Sequence, residues 1–182
     1  MSGSLNLVLI GWRYDHIAKK ILAALKYKSG YKVAQEISEL LAERNLYNNP
    51  TLSKAIVIPV PVHKTRYNER GFNQAALIGR AISTLTECNF SDNLLIRSKH
   101  TQKQHSLNKE QRVHNMRNAF KLSKGSAYEL KKYRKVIIVD DVITTGSTLD
   151  EISYLIKSRI GNIEREAICL FRGRPRYSLT DP

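Results

Sequence analysis

Two adjacent carboxylates and a group of hydroxyl side chains lie close together in one short stretch of the sequence. Asp140 and Asp141 directly follow the apolar residues 136–139, and the segment 144–148, Thr-Thr-Gly-Ser-Thr, begins three positions after Asp141. Paired carboxylates accept hydrogen bonds from sugar hydroxyls, whereas hydroxyl side chains and backbone amides at a helix start bind phosphate. The pattern therefore predicts a site for a sugar phosphate, with a divalent metal nearby to balance charge.

A strand and a helix must position these groups. Residues 136–139 are mostly β-branched, which is typical of a strand buried on both faces of a parallel sheet. A helical pattern of apolar residues begins at about Leu149, and Gly146 before it allows close backbone approach. The alternative is a buried strand and a Ser/Thr-capped helix with merely solvated carboxylates. Such a cap would need neither the acid pair nor four hydroxyls in five positions.

Strands and helices alternate along the rest of the chain. This alternation predicts an α/β fold with a doubly wound parallel sheet, to which the N-terminal helices add a hood or a flank. In such sheets ligands bind at the carboxyl ends of the strands, where Asp140 and Asp141 lie. The predicted strands are 55–63, which its two prolines end, 94–97, 119–122, 136–139 and 166–171. The predicted helices are 13–27, 32–43, 75–85, a short one over 112–117, and 149–160.

The length of 182 residues predicts one domain. We assign residues 13–172 to this domain, residues 1–12 to a tail that is native or vector-derived, and residues 173–182 to a C-terminal tail. The sequence has no apolar run of about 20 residues and no signal peptide, so no membrane span is expected. Cys88 and Cys169 match no metal spacing, which favours a reducing compartment.

The net charge of +14 is concentrated in one segment. Between Arg97 and Lys135 there are twelve basic residues and two acidic ones, and we call this segment the basic stripe. A surface of this kind suits a polyanion, either nucleic acid or a phosphate-rich ligand, although a solvated basic face would give the same composition.

The segment 136–148 resembles the phosphoribosyl pyrophosphate (PRPP) signature of the type I phosphoribosyltransferases. The resemblance implies that Asp140 and Asp141 hold the ribose 2′- and 3′-hydroxyls, with Mg²⁺ brought by the ligand rather than by a dedicated protein site. It further implies a 5′-phosphate loop and a group of pyrophosphate or closing-loop residues. The first set is Thr144, Thr145, Gly146, Ser147 and Thr148, and the second is Lys64, Arg66, Arg70, Gln104 and Arg112.

Further motifs resemble the ComF/GntX competence proteins over about residues 14–171. They are Ile-Pro-Val-Pro-Val-His at 58–63, Arg-Gly-Phe-Asn-Gln-Ala at 70–75, Thr101-x-x-Gln104-x-x-Leu107 and Arg112-x-x-Asn115. The resemblance implies a cytoplasmic protein of natural transformation that handles incoming single-stranded DNA or supports nucleoside metabolism, with competence-machinery proteins as partners. Members of that family usually begin with a four-cysteine zinc module, which this sequence lacks.

Three functions follow from these interpretations. The first is a protein that binds PRPP or ribose 5-phosphate and could transfer the phosphoribosyl group, with Mg²⁺, to an unknown acceptor. Purine-salvage enzymes of this fold carry an aspartate base where this chain has Thr144, so a purine acceptor is not expected. The second is a non-enzymatic single-stranded DNA-binding protein of the transformation machinery. The third is a regulator that senses PRPP.

Overall fold

A five-stranded parallel sheet forms the centre of the computed structural model, which describes residues 5–25, 27, 30–43, 54–98 and 118–173. Every neighbouring pair in this sheet is parallel, and the strand order is β1-β7-β6-β2-β3. A separate antiparallel hairpin pairs β4 with β5. The strands are β1 Leu7–Arg13, β2 Ala55–Pro59, β3 Asn89–Phe90, β4 Leu95–Arg97, β5 Phe120–Leu122, β6 Lys135–Ile143 and β7 Glu164–Arg172.

Helices cover both faces of the sheet, as the predicted doubly wound α/β fold requires. They are α1 His16–Ala24, α2 Gly30–Glu43, α3 Lys64–Arg70, α4 Gln74–Thr86, α5 Ser126–Leu130 and α6 Ser147–Ile160. Side chains alternate along β6, so Ile137 and Val139 join the core under α1, α2 and α4. Val136 and Ile138 join the opposite core, under the hairpin, α5 and α6. Because both faces are buried, β2 and residues 136–139 of β6 are continuous apolar runs in the sequence.

The predicted N-terminal tail is wrong for residues 7–12. These residues form most of β1, the edge strand, in which Leu7 pairs with Glu166 and Trp12 with Phe171 of β7. The pairing partner lies more than 150 residues away, so the local sequence does not reveal it. The first helix consequently begins at His16 rather than at Arg13. Asp15 is its N-cap, and the Asp15 side chain accepts a hydrogen bond from the Ala18 amide at 2.9 Å.

Three short elements fall outside the predicted set. The helix α3 occupies the basic segment after β2, begins with the His63 side chain accepting from the Thr65 amide, and ends at Gly71 with φ of +74°. Strand β3 and helix α5 are two and five residues long, too short to show a period. None of the helices within the described ranges is long and apolar enough to cross a membrane.

Candidate functional site

The acid pair lies at the carboxyl end of the central strand β6. Asp140 pairs in register with Cys169 of β7, and both aspartates are half-buried. The Asp141 backbone N–H donates to Asp140 Oδ1 at 2.9 Å. This hydrogen bond holds the Asp140 carboxylate against the backbone of Asp141. The sequence predicted this strand, but its predicted end at Val139 is wrong: β6 continues to Ile143, so the acid pair lies within the last four residues of the strand.

The surroundings of Asp140 disfavour its ionised form. Burial raises the pKa of the Asp140 carboxyl well above its usual range, and the charge of Asp141 raises it further. The positive charge of Arg97 acts in the opposite direction on the same pKa. A ligand that donates hydroxyls, or a cation, would therefore stabilise the ionised pair. The Cys169 thiol beneath it is inert, because burial and the two carboxylates raise its pKa.

The hydroxyl-rich segment 144–148 connects β6 to α6. Gly146 has φ of +80° and stands at the N-cap of α6, where it supplies no side-chain acceptor to the first helical amides. The Thr145 and Ser147 hydroxyl oxygens lie 3.0 Å apart, on the same side of this turn. Amides at a helix start together with hydroxyls form the kind of site that binds phosphate. Phosphate binding by this segment stays a prediction.

Gly173, predicted to lie in the C-terminal tail, supports this loop. Its N–H donates to the Ile143 carbonyl at 2.8 Å, and the residue is buried. A Cβ atom at this position would lie 3.0 Å from Thr144 Cγ2, so any larger residue would press on the Thr144 side chain of the loop. The sequence held no local signal for this contact, because it depends on β7 running beside β6.

Arg97 is a second residue that sequence reasoning did not assign to the site. It ends β4, and its guanidinium carbon lies 5.5 Å from the centroid of the Phe120 ring across the hairpin. From there its charge reaches Asp140. The signal that could have found it is its place at the end of a predicted strand.

The predicted pyrophosphate residues are only partly described. Lys64, at the start of α3, is exposed and lines a cavity of about 680 Å³ beside the end of β2. Arg66 and Arg70 belong to α3, but their side chains lie outside the described part of the structure. Gln104 and Arg112 lie outside the described residues altogether, as do the other residues from 99 to 117. Their predicted roles stay predictions.

The described residues of the basic stripe do not form one surface beside the acid pair. Its described end, Lys131 to Lys135, leads into the amino end of β6, whereas the acid pair and the segment 144–148 lie toward the strand's other end. Asp140 comes five residues after Lys135 along the strand, a separation of roughly 17 Å at about 3.3 Å per residue. Arg97 lies near the acids, while the exposed residues Lys131, Lys132 and Arg134 lie at the amino edge of the sheet.

No group of three or more His, Cys, Asp or Glu side chains suited to a metal occurs among the described residues. Two neighbouring carboxylates at a strand end nevertheless fit Mg²⁺, which binds proteins through one or two carboxylates and completes its shell with substrate phosphates and water. The residues present thus match a metal shared with a ligand.

Comparison with known proteins gives two consistent matches. The Phosphoribosyl transferase domain family matches residues 71–178, more than half of the chain. The chain is 36% identical over 155 residues to Competence protein F of Haemophilus influenzae, covering 84% of this chain and 66% of that protein. It is 33% identical over 156 residues to DNA utilization protein YhgH of Shigella flexneri, with the same coverage. The chain therefore spans just under two thirds of these curated relatives.

Proposed function

Because this chain belongs to the phosphoribosyltransferase-domain family and, within it, to the ComF competence proteins, we propose that it binds PRPP and transfers its phosphoribosyl group. One observation carries the proposal: the half-buried acid pair and the glycine-capped start of α6 lie at the same end of β6. A ribose phosphate offers hydroxyls to the first and a phosphate to the second. Neither a bare helix cap nor a solvated acid pair would explain both features.

In the proposed reaction, the bond between C1 of the ribose and the pyrophosphate oxygen breaks. Its electron pair leaves with pyrophosphate, a nucleophilic atom of the acceptor bonds to C1, and the acceptor's proton passes to solvent. Asp140 and Asp141 hold the ribose hydroxyls and favour the positive charge that develops on the ring. The 144–148 loop anchors the 5′-phosphate, so that binding energy remote from C1 positions the reacting carbon.

Positive charge must balance the leaving pyrophosphate. We assign this role to Lys64, Arg66 and Arg70, whose segment follows the end of β2, beside β6. Mg²⁺, when bound with PRPP near Asp140 and Asp141, would neutralise phosphate charge. Gln104 and Arg112 remain candidates for the part of the chain that covers the bound ligand.

The names of the relatives, which concern competence and DNA utilization, support a proposal for the biological role. We propose that this chain acts in the cytoplasm during DNA uptake, where PRPP chemistry serves nucleoside metabolism and competence-machinery proteins are partners. The relatives are longer than this chain, so the activity of the complete relatives is assigned to this chain only as a proposal.

A second candidate function is binding of single-stranded DNA without catalysis. The observation that favours it lies at the amino edge of the sheet, where the Tyr128 ring is 75% exposed and Lys132 Nζ lies 5.3 Å from its centroid. Exposed lysines beside an aromatic ring can follow a backbone and stack a base. Along β6 the amino end of the strand lies roughly 17 Å from the acid pair, so the two functions use different residues.

Isothermal titration of PRPP with Mg²⁺, alongside ribose 5-phosphate, tests the proposed function. We expect binding of both ligands to the wild-type protein and its loss in the double variant Asp140→Asn/Asp141→Asn. The same double variant should bind a labelled single-stranded oligonucleotide as the wild type does. Absence of heat with both ligands on folded wild-type protein would refute the ribose-phosphate site and leave DNA binding as the better account.

A further inference from the structure

The outer edge of β1 is an uncharged strand edge. β1 lies at one end of the sheet, and among the described residues no strand pairs with its outer side. The segment 5–12, Leu-Asn-Leu-Val-Leu-Ile-Gly-Trp, contains neither a charged residue nor a proline, although charged residues make up 25% of the chain. Natural edge strands commonly carry such residues because they prevent pairing with another chain. The edge of β1 lacks this protection and is therefore suited to accept a further strand.

The backbone of β1 directs hydrogen-bonding groups to this outer edge. The N–H groups of Asn6 and Tyr14, at its two ends, donate to carbonyls of β7 at 2.8 and 2.9 Å. Because backbone groups alternate in direction along a strand, the N–H and C=O groups of Leu7 and Leu9 point away from β7. The Leu7 side chain is also 43% exposed. Leu7 and Leu9 thus present donors and acceptors to a strand from outside the sheet.

Helix α6 borders this edge on one face of the sheet. On one side of the helix, Glu151 accepts a hydrogen bond from the Asn118 N–H, next to the hairpin strand β5. Ser153 lies about 200° farther around the helix, at about 100° per residue. Its hydroxyl accepts from Arg165 Nε at 3.1 Å, and Arg165 belongs to β7, the neighbour of β1. One side of α6 therefore faces the hairpin, and the other faces the β1 edge.

Two side chains of opposite charge lie on the β1 side of α6. Asp150 comes three residues before Ser153 and Lys157 four residues after it, so the three share one side of the helix. Asp150 and Lys157 are exposed, and neither forms an ion pair with another described residue. Tyr154 lies between them along the helix and is 44% exposed. This side of α6 thus carries an acid, an aromatic ring and a base in sequence.

This order of side chains is complementary to itself. When the β1 strands of two copies pair antiparallel, a two-fold axis perpendicular to the sheet relates the copies, and their α6 helices also run antiparallel. Asp150 of each copy is then opposite Lys157 of the other, and Tyr154, near the midpoint, is opposite its counterpart. An extended segment of an unrelated protein would pair with the strand edge but would leave the two charges of α6 unmatched. The charge pattern therefore favours a second copy of this chain as the partner.

We propose that two copies of this chain associate through the outer edges of their β1 strands, which join the two five-stranded sheets into one continuous ten-stranded sheet. The seven residues of β1 span about 23 Å at about 3.3 Å per residue. An edge of this length gives a small interface, so the dimer is reversible rather than obligate. The two acid pairs lie toward opposite ends of the joined sheet, and the dimer therefore does not depend on the proposed PRPP site.

Sedimentation velocity of the full chain without ligand tests the proposal. Samples from about 1 to 300 μM cover the affinities of weak, reversible interfaces. We expect the sedimentation coefficient to rise with concentration from the value of a monomer to that of a dimer, and to stop there because a two-fold interface is closed. A chain that stays monomeric throughout overturns the proposal and leaves the edge to an extended segment of another protein. Growth beyond the dimer also overturns it, since it requires an open, head-to-tail contact.

A pair of matched leucine substitutions locates the interface. Leu7→Lys places a charge on the strand edge and should raise the dissociation constant of the dimer at least about tenfold. Leu85→Lys on α4 is the control, because Leu85 is 41% exposed and Leu7 is 43% exposed; it should leave the dissociation constant unchanged. Thermal unfolding of dilute, monomeric samples checks that both variants are folded. An unchanged dissociation constant in Leu7→Lys, or an equal rise in both variants, would place the contact elsewhere and overturn the proposal.

An exchange of charges on α6 tests the antiparallel arrangement. Lys157→Asp sets two carboxylates opposite each other in the dimer, and Asp150→Lys sets two ammonium groups opposite each other, so each single variant should weaken association several-fold. The double variant Asp150→Lys/Lys157→Asp restores opposite charges across the two-fold axis and should recover most of the loss. A structural defect from either substitution would instead add up in the double variant. Weaker association of the folded double variant than of both single variants would therefore overturn the proposed arrangement.

Discussion

At the scale of single residues, Asp140 illustrates how a binding site is built at a cost to stability. Its carboxyl is half-buried beside a second carboxylate, and both burial and Asp141 raise its pKa. Ionising it in the folded protein therefore costs more than in the unfolded chain. Residues that weaken a fold in this way are common where a ligand must be bound, because the ligand supplies the missing partner.

The isosteric change Asp140→Asn should raise the melting temperature of the ligand-free protein. Because the folded pKa is raised, the folded state holds more protons than the unfolded state between the two pKa values, so stability falls as pH rises through that window. The melting temperature of the variant should equal that of the wild type near pH 4, and the difference between the two should grow as the pH rises. Each 1 kcal/mol gained corresponds to about 2–4 °C in a domain of this size.

Thermal unfolding from pH 4 to pH 8 measures this gain. Glu36→Gln, an exposed carboxylate on α2, serves as the control and should show no comparable trend. A melting temperature of Asp140→Asn that lies below the wild type at pH 8 would contradict the assigned cause of the pKa shift.

At the scale of elements, α6 joins the binding loop to the core. Its first residues follow Gly146, and its buried residues Leu149, Ile152 and Ile156 pack in the core under the hairpin. Glu151 accepts a hydrogen bond from the Asn118 backbone N–H at 2.6 Å, which ties the start of β5 to the same helix. The helix thus holds the proposed phosphate site against both β6 and the hairpin that carries Arg97.

The two glycines at the ends of α6 allow a matched test of the loop. Gly146 and Gly161 both have positive φ, +80° and +91°, where an added Cβ is strained by about 1–2 kcal/mol. Gly146→Ala should lower stability and also weaken ribose 5-phosphate binding by roughly tenfold, because the loop amides shift. Gly161→Ala should lower stability alone. Urea unfolding and calorimetric titration of both variants measure the two effects, and equal affinity in both would argue against the loop as phosphate site.

At the scale of the whole molecule, a buried ion pair and the candidate site lie toward opposite ends of the sheet. At the amino end, Lys135 is 1% exposed and its Nζ lies 2.8 Å from Glu166 Oε1 and 3.3 Å from Glu164 Oε1. Desolvation lowers the pKa of Lys135, but the two carboxylates outweigh it and leave the pKa raised. The ion pair between Lys135 and Glu166 joins β6 to β7. This pair was not predicted from the sequence, because Lys135 was counted as part of the basic stripe.

Lys135→Met should destabilise the protein by about 3–5 kcal/mol, since it leaves the mostly buried Glu166 carboxylate without its cation. The double variant Lys135→Met/Glu166→Leu should recover most of this loss. For the wild type, the raised pKa means that the pair stabilises the fold below about pH 10 and is lost as pH rises further. Denaturant unfolding measures the losses. A PRPP affinity that falls in a folded double variant would contradict the separation of site and ion pair.

The chain's own sequence was enough to predict a candidate site because the signals for it are local. The β-branched run of β6, the acid pair, Gly146 and the hydroxyls lie within thirteen consecutive positions, and each residue type has a direct physical use there. Alternation of strand and helix patterns likewise determined the doubly wound fold. What the tertiary structure decided is non-local: β1 as an edge strand, and Arg97 and Gly173 beside the site. β1 and Gly173 depend on the parallel pairing of β7 with β1 and β6, and Arg97 depends on the packing of the antiparallel hairpin beside the sheet. Neither pairing leaves a local trace in the sequence, because the partners are far apart in the chain.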